Sequence, residues 1–163
     1  MQQNKNKRIV NLCRGALVAA LYVALTYLAR ILALDSGPIQ VRFSEALCIL
    51  PIFMPSSIWG LTIGCFLSNL LTGAHWLDIL IGPLATLIGA LGTYLLRRIK
   101  WLAPLPAVLA NALIIPFVLS YAYEVEQAIP LLMLTVGIGE VISVYGLGSV
   151  FMISARHFLE RLK

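Results

Sequence analysis

Charge is what this chain has least of. Only 12% of its 163 residues are Asp, Glu, Lys or Arg, against 60% apolar residues, and the mean hydropathy is +0.92. A soluble domain carries about twice that share of charge, so a water-soluble fold is excluded and a single membrane domain over residues 1–163 is expected. Nearly all of the length is consumed by apolar runs, which leaves none for a separate catalytic domain. No GxxxxGK[ST] phosphate loop occurs, so the chain itself should not hydrolyse ATP. Neither a GxSxG nucleophile nor an HExxH pair is present, and the two histidines, His75 and His157, are far apart. Cys13, Cys48 and Cys65 are odd in number, lack CxxC spacing and lie inside apolar runs, as packing residues do rather than disulfides or metal ligands. No enzyme, cofactor or metal site is expected.

What the chain does have is six apolar runs joined by short loops. Expected spans are about 11–34, 44–54, 58–71, 78–96, 104–121 and 128–153. The N-terminal Lys5, Lys7 and Arg8 followed by apolar residues imitate a secretory signal. That stretch runs too long and lacks a small-residue cleavage site, so it reads as a retained first span. Ser56 or Ser57 can cap the third. The second run is short for a bilayer core about 30 Å thick. It must enter part-way, tilt, or be completed by Val41–Phe43.

Basic residues flank alternate loops. Ten of the twelve (Lys5, Lys7, Arg8, Arg14, Arg97, Arg98, Lys100, Arg156, Arg161 and Lys163) fall on one side of the zigzag, and only Arg30 and Arg42 on the other. Basic loops stay cytoplasmic, which puts both termini inside. The net charge of +5 is explained by these flanks rather than by nucleic acid. Most acids (Asp35, Glu45, Asp78, Glu124 and Glu126) fall on the outer side.

The exceptional acid is Glu140, about twelve residues into the sixth span in GIGEVISVYGLG. An ionised carboxylate at that depth costs several kcal/mol or more unless paired or wet, and no Lys or Arg is expected at the same depth. It is either a protonated acid bonded to a neighbouring helix or, the favoured reading, a ligand contact. Asn111, mid-way along the fifth span, is its natural neighbour; it and Asn69 serve either as interhelical glue or as ligand readers. Arg42, Glu45, His75, Trp76 and Asp78 gather at the outer mouth with Tyr27 and Arg30. Singly each fits an ordinary interfacial belt. Together, above an intramembrane acid and amide, they describe a polar and aromatic pocket for a flat, hydrogen-bonding small molecule able to carry a positive charge. Ala16, Ala20 and Ala24 form a smooth stripe on the first span, for packing within the chain or for docking a membrane partner.

The six-span layout and the alanine stripe, with VRFSEALCILPIF (41–53), GAHWLDILIGPLATLIGA (73–90), LANALIIPF and GIGEVISVYGLG, resemble the substrate-binding (S) components of energy-coupling factor (ECF) transporters, and most closely the QueT-type queuosine-precursor group. The resemblance covers nearly the whole chain. It implies an all-α, six-helix S component in a prokaryotic plasma membrane that captures its solute from outside. Such a subunit docks through Ala16, Ala20 and Ala24 on an EcfT-like coupling protein carrying two cytoplasmic ATPases, which power delivery. It also implies a 7-deazaguanine substrate, some forms of which carry an aminomethyl cation. In such a pocket Glu140 would take the guanine-like edge and Asn111 the ring carbonyl. Trp76 or Tyr145 would stack on the ring, and Glu45 or Asp78, with Arg42 orienting the acid, would attract the cation. Alternatives are an S component for another vitamin or purine-like compound, or a standalone proton-coupled permease with Glu140 as proton carrier.

Overall fold

The computed structural model describes residues 2–34 and 40–160, with side chains over 5–34 and 40–154. All regular structure among them is helical. α1 is Gln2–Ile31, a 3₁₀ segment follows at Phe43–Ile52, then α2 (Ser57–Leu71), α3 (Trp76–Leu95) and α4 (Leu105–Ala122). The last rod is α5 (Ile129–Glu140), a π-helical stretch (Val141–Leu147) and α6 (Gly148–Glu160) in unbroken succession. Four stretches are long and apolar enough to cross a bilayer: Lys5–Ile31, Trp76–Leu95, Leu105–Ala122 and Ile129–Ser154. Phe43–Ile52 and Ser57–Leu71 are apolar but shorter.

The 3₁₀ segment narrows the shortfall of the second run without closing it. A 3₁₀ helix rises about 2.0 Å per residue against 1.5 Å for an α-helix, so its ten residues reach about 20 Å rather than 15 Å. Every residue from Ser44 to Ile52 is buried. This strut is buried on all faces, wrapped by α1, α2, α3 and the α5–α6 rod, and is apolar apart from Ser44 and Glu45 near its start. Pro51, which can donate no backbone hydrogen bond, sits one residue from its end.

Close approaches of small residues fix the direction of each segment. A side chain on Gly60 would meet the Gly15 carbonyl oxygen at 2.5 Å, and one on Gly64 would meet Ala19 and Tyr22. Further out, Tyr27 and Arg30 bond the carbonyls of Leu71 and Thr72, so α1 and α2 run parallel. Asn69 against Asp78 and Gly89 against Ala107 at 2.7 Å make α2, α3 and α4 successively antiparallel. Gln40 against Gly139, Arg42 against Ser143 and Ala46 against Gly148 align the 3₁₀ strut parallel to the last rod. Chain direction therefore alternates over six segments. Gly15 and Ala19 are buried in these contacts while Ala16, Ala20 and Ala24 are exposed, so the alanine stripe is not used inside the chain. Large apolar side chains such as Leu12, Leu17, Leu84, Leu113 and Ile153 also point outward, which suits lipid rather than water.

Two expectations need correction. Neither serine caps α2 through its side chain. Ser57 Oγ turns back to donate to the Met54 carbonyl at 2.7 Å, and Ser56 Oγ is buried without a partner. The α3 helix begins two residues earlier than expected, at Trp76, because His75 Nδ1 accepts from Leu77 N and caps it. The 35–39 part of the first outer loop and the tail beyond residue 160 lie outside the described residues.

Candidate functional site

A cavity of about 560 Å³ opens where α1, α2 and α4 end and the 3₁₀ strut and α3 begin. Tyr22, Thr26 and Arg30 line it from α1, one helical face at i, i+4 and i+8. Asn69, Ser68 and Thr72 come from α2, Asp78 from α3, Leu119 and Tyr123 from the end of α4, and Gln40, Arg42 and Ser44 from the strut and its approach. The volume falls in the range of small-molecule sites, about 300–1,000 Å³.

Asp78 is the carboxylate in this cavity. It sits in the first turn of α3, where the helix dipole favours an acid, and is only 7% exposed. The Tyr123 hydroxyl donates to Oδ2 at 3.3 Å, and Tyr123 in turn accepts from His75 N at 3.0 Å. Burial pushes the Tyr123 phenol up, so it remains a donor at neutral pH. Asn69 Nδ2 donates to the Asp78 carbonyl at 2.9 Å. Gly82 lies beside the pair: a Cβ there would meet Asn69 Nδ2 at 2.8 Å and Asp78 Oδ1 at 3.2 Å. Oδ1 is buried and has no hydrogen-bond partner.

Behind the cavity wall lies a second polar cluster. Glu45, 1% exposed, accepts from the Tyr22 hydroxyl on Oε1. Its Oε2 accepts from Cys48 Sγ at 3.0 Å and from Asn111 Nδ2 at 3.4 Å. Asn111 also reaches Glu140. Glu140 is 4% exposed and its Oε2 is buried without a partner. It stands at the junction of α5 and the π-helical stretch, where irregular helix often marks function. Tyr22 belongs to both layers, lining the cavity and holding Glu45.

The expected residues thus divide. Arg42, Asn69 and Asp78 line the cavity; Glu45, Asn111 and Glu140 assemble behind it and are not among its lining. Arg42 N donates to Ser143 Oγ at 3.1 Å, in the turn that follows Glu140. The expectation that no cation reaches the depth of Glu140 is corrected: the segment leading into the strut lies along Gly139 to Ser143 and brings Arg42 to that level. His75 serves the rim as a helix cap. Trp76 is 62% exposed, its ring tilted against His75 at 5.7 Å and absent from the cavity wall. Tyr145 donates to the Trp101 carbonyl at 3.0 Å, in the α3–α4 connection at the opposite end of the bundle. Neither ring lines the cavity: Trp76 is turned outward at the rim and Tyr145 lies toward the far end. Tyr22 and Tyr123 were missed. The i, i+4 step from Tyr22 to Thr26 was the available signal for the first, and position in the outer YEVEQ loop for the second.

Among the described residues no three His, Cys, Asp or Glu side chains converge to hold a metal ion. The cavity wall presents an arginine, an amide and a carboxylate side by side.

Comparison with known proteins bears on which solute. Over 101 residues the chain is 42% identical to the "Queuosine precursor transporter QueT" of Lactococcus lactis subsp. cremoris (strain MG1363), an alignment covering 61% of this chain and 57% of that protein. The match thus spans little more than half the relative's length. No solved structure matches the chain. The QueT transporter family matches residues 12–157, almost the full chain. The chain belongs to the QueT transporter family.

Proposed function

We propose that this protein is the substrate-capture subunit of an ECF-type importer, taking a 7-deazaguanine queuosine precursor from outside the cell. The observation that carries the proposal is the polar cavity of about 560 Å³ with Arg42, Asn69 and Asp78 in its wall, in a chain of the QueT transporter family. A guanine-like ring offers a carbonyl acceptor and several N–H donors in one plane. Arg42 supplies donors to the carbonyl, and Asn69, whose amide nitrogen is held by the Asp78 carbonyl and Cys65 Sγ, keeps its Oδ1 as an acceptor for a ring N–H. Glu140, Asn111 and Glu45 hold the wall from behind.

The chain crosses the plasma membrane six times with both termini cytoplasmic. In support, the start of α1, with Lys5, Lys7, Arg8 and Arg14, lies at the same end of the bundle as the α3–α4 connection, with Arg97, Arg98 and Lys100. The cavity opens at the other end. In this reading energy comes from partners: a coupling protein of the EcfT type docked on the exposed Ala16, Ala20 and Ala24, carrying two ATPases.

The test is calorimetric titration of the chain in lipid nanodiscs with 7-deazaguanines, alongside adenine and common vitamins. Saturable binding of the deazaguanines alone is expected. Tighter binding of any other compound overturns the substrate reading. Uptake into vesicles by this chain alone, driven by a pH gradient and independent of ATP and partners, overturns the coupling-factor reading.

A further inference from the structure

We propose that the connection between α3 and α4 binds an anionic phospholipid. Arg97, Arg98 and Lys100 meet its phosphate, Trp101 sits at headgroup level beside it, and its acyl chains lie along the outer face of α3.

The connection mixes two kinds of side chain. Arg97, Arg98 and Lys100 are exposed, and so are Ile99, Trp101 and Leu102 among them. Trp101 is 80% exposed, more than any other large apolar residue among those described. Neither water nor hydrocarbon suits such a mixture, since cations are costly in one and apolar surface in the other. The boundary suits both: an indole settles at headgroup depth, and basic side chains meet phosphates there. Position agrees. α3 has 20 residues, about 30 Å of helix, which matches the thickness of a bilayer core. A connection that begins where α3 ends therefore lies among headgroups, at the end of the bundle away from the cavity.

The connection is held in shape from within. Ile99 N bonds the Leu96 carbonyl, and Leu102 N and Ala103 N bond that of Ile99, giving successive turns. Tyr145 donates to the Trp101 carbonyl at 3.0 Å. The Arg97 guanidinium lies over the Tyr94 ring at 4.2 Å, which limits where that cation can point. No acid opposes these charges in sequence between Asp78 and Glu124. Among the described residues, the side chains of Arg98 and Lys100 have no hydrogen bond or ion pair, so both are open to an incoming anion.

An acidic protein surface would also attract three cations. Lipid is favoured by what leads up to them. Leu84, Ile88, Leu91 and Leu95 are all exposed and recur at i, i+4, i+7 and i+11, one outward stripe along α3. That stripe runs into the basic connection, so one molecule with apolar chains and an anionic head covers both.

The test places the protein in phosphatidylcholine vesicles doped, at equal mole fraction, with brominated phosphatidylglycerol or brominated phosphatidylcholine. Quenching of Trp101 is read. Trp59→Phe with Trp76→Phe leaves Trp101 as the sole indole. If that pair does not fold, the quenching lost on Trp101→Phe in the otherwise unaltered chain gives the same quantity. Phosphatidylglycerol should quench as though enriched about five- to tenfold around Trp101. Arg97→Gln, Arg98→Gln and Lys100→Gln together should bring the two lipids level, with quenching by phosphatidylcholine unchanged. Equal quenching by the two lipids before any charge is removed overturns the proposal. So does a preference that survives the triple substitution. Trp101 shielded from both lipids, with protein partners lost on copurification of the triple variant, assigns the connection to a protein instead and overturns it too.

Discussion

Glu45 holds three donors on its two oxygens, from α1, the strut itself and α4. Each donor is buried, so removing the acceptor strands them all. Glu45→Ala should destabilise the protein by about 3–5 kcal/mol, the range for breaking a buried charged contact, read as a lowered unfolding midpoint in detergent. Glu45→Gln retains an acceptor and should cost markedly less. Ala33 offers the opposite opportunity. It closes α1 at φ 54°, in the left-handed region that an L side chain occupies at a cost of about 1–2 kcal/mol. Ala33→Gly relieves that strain and should stabilise the protein by roughly 0.5–1 kcal/mol once the greater freedom of an unfolded glycine is subtracted. The same unfolding measurement checks it, and a lowered midpoint contradicts it.

Element boundaries were largely legible because apolar runs and the Gly, Pro and Ser punctuation between them are strong signals. Asn11–Leu34 contains the apolar part of α1, and the expected sixth span of 128–153 nearly coincides with Ile129–Ser154. The pitch of two segments was not legible. Hydrophobic periodicity reports helix geometry only where one face differs from another, and the strut is buried all round. A 3₁₀ run and a partly inserted α-helix then read the same. The π-helical stretch after Glu140 was hidden for a similar reason: α5 and the residues beyond it are apolar almost throughout. Because the strut is central, trimming it should be expensive. Leu47, 1% exposed, lies mid-strut, and Leu47→Ala should cost about 2–5 kcal/mol, whereas Leu84→Ala on the outward face of α3, 56% exposed, should be nearly neutral.

At the scale of the whole molecule, the binding cavity and the alanine stripe occupy different surfaces, which makes capture and docking separable. Ala20→Trp plants a bulky ring on the exposed face of α1, away from the cavity wall. If the proposed coupling protein and ATPases dock there, it should abolish copurification with them while leaving ligand affinity within about twofold; weakened ligand binding would contradict that separation. The sequence made the polar residues conspicuous, since each is expensive in a bilayer, but not how they divide between cavity and backing. Glu45 and Asp78 both lie near the outer ends of their segments, and only the rotation of each helix decides which keeps an oxygen free. Trp76 shows the converse: one position from the His75 cap, it is turned outward while Asp78, two residues on, is turned in.

The bare Cα of Gly139 lies against the Gln40 carbonyl, so any substituent there pushes on the cavity from outside it. No residue of α5 lines that cavity, yet α5 sets how far inward its wall can stand. Preference among related solutes can therefore drift through changes in a helix the solute never meets, and a comparison confined to contact residues would overlook their source.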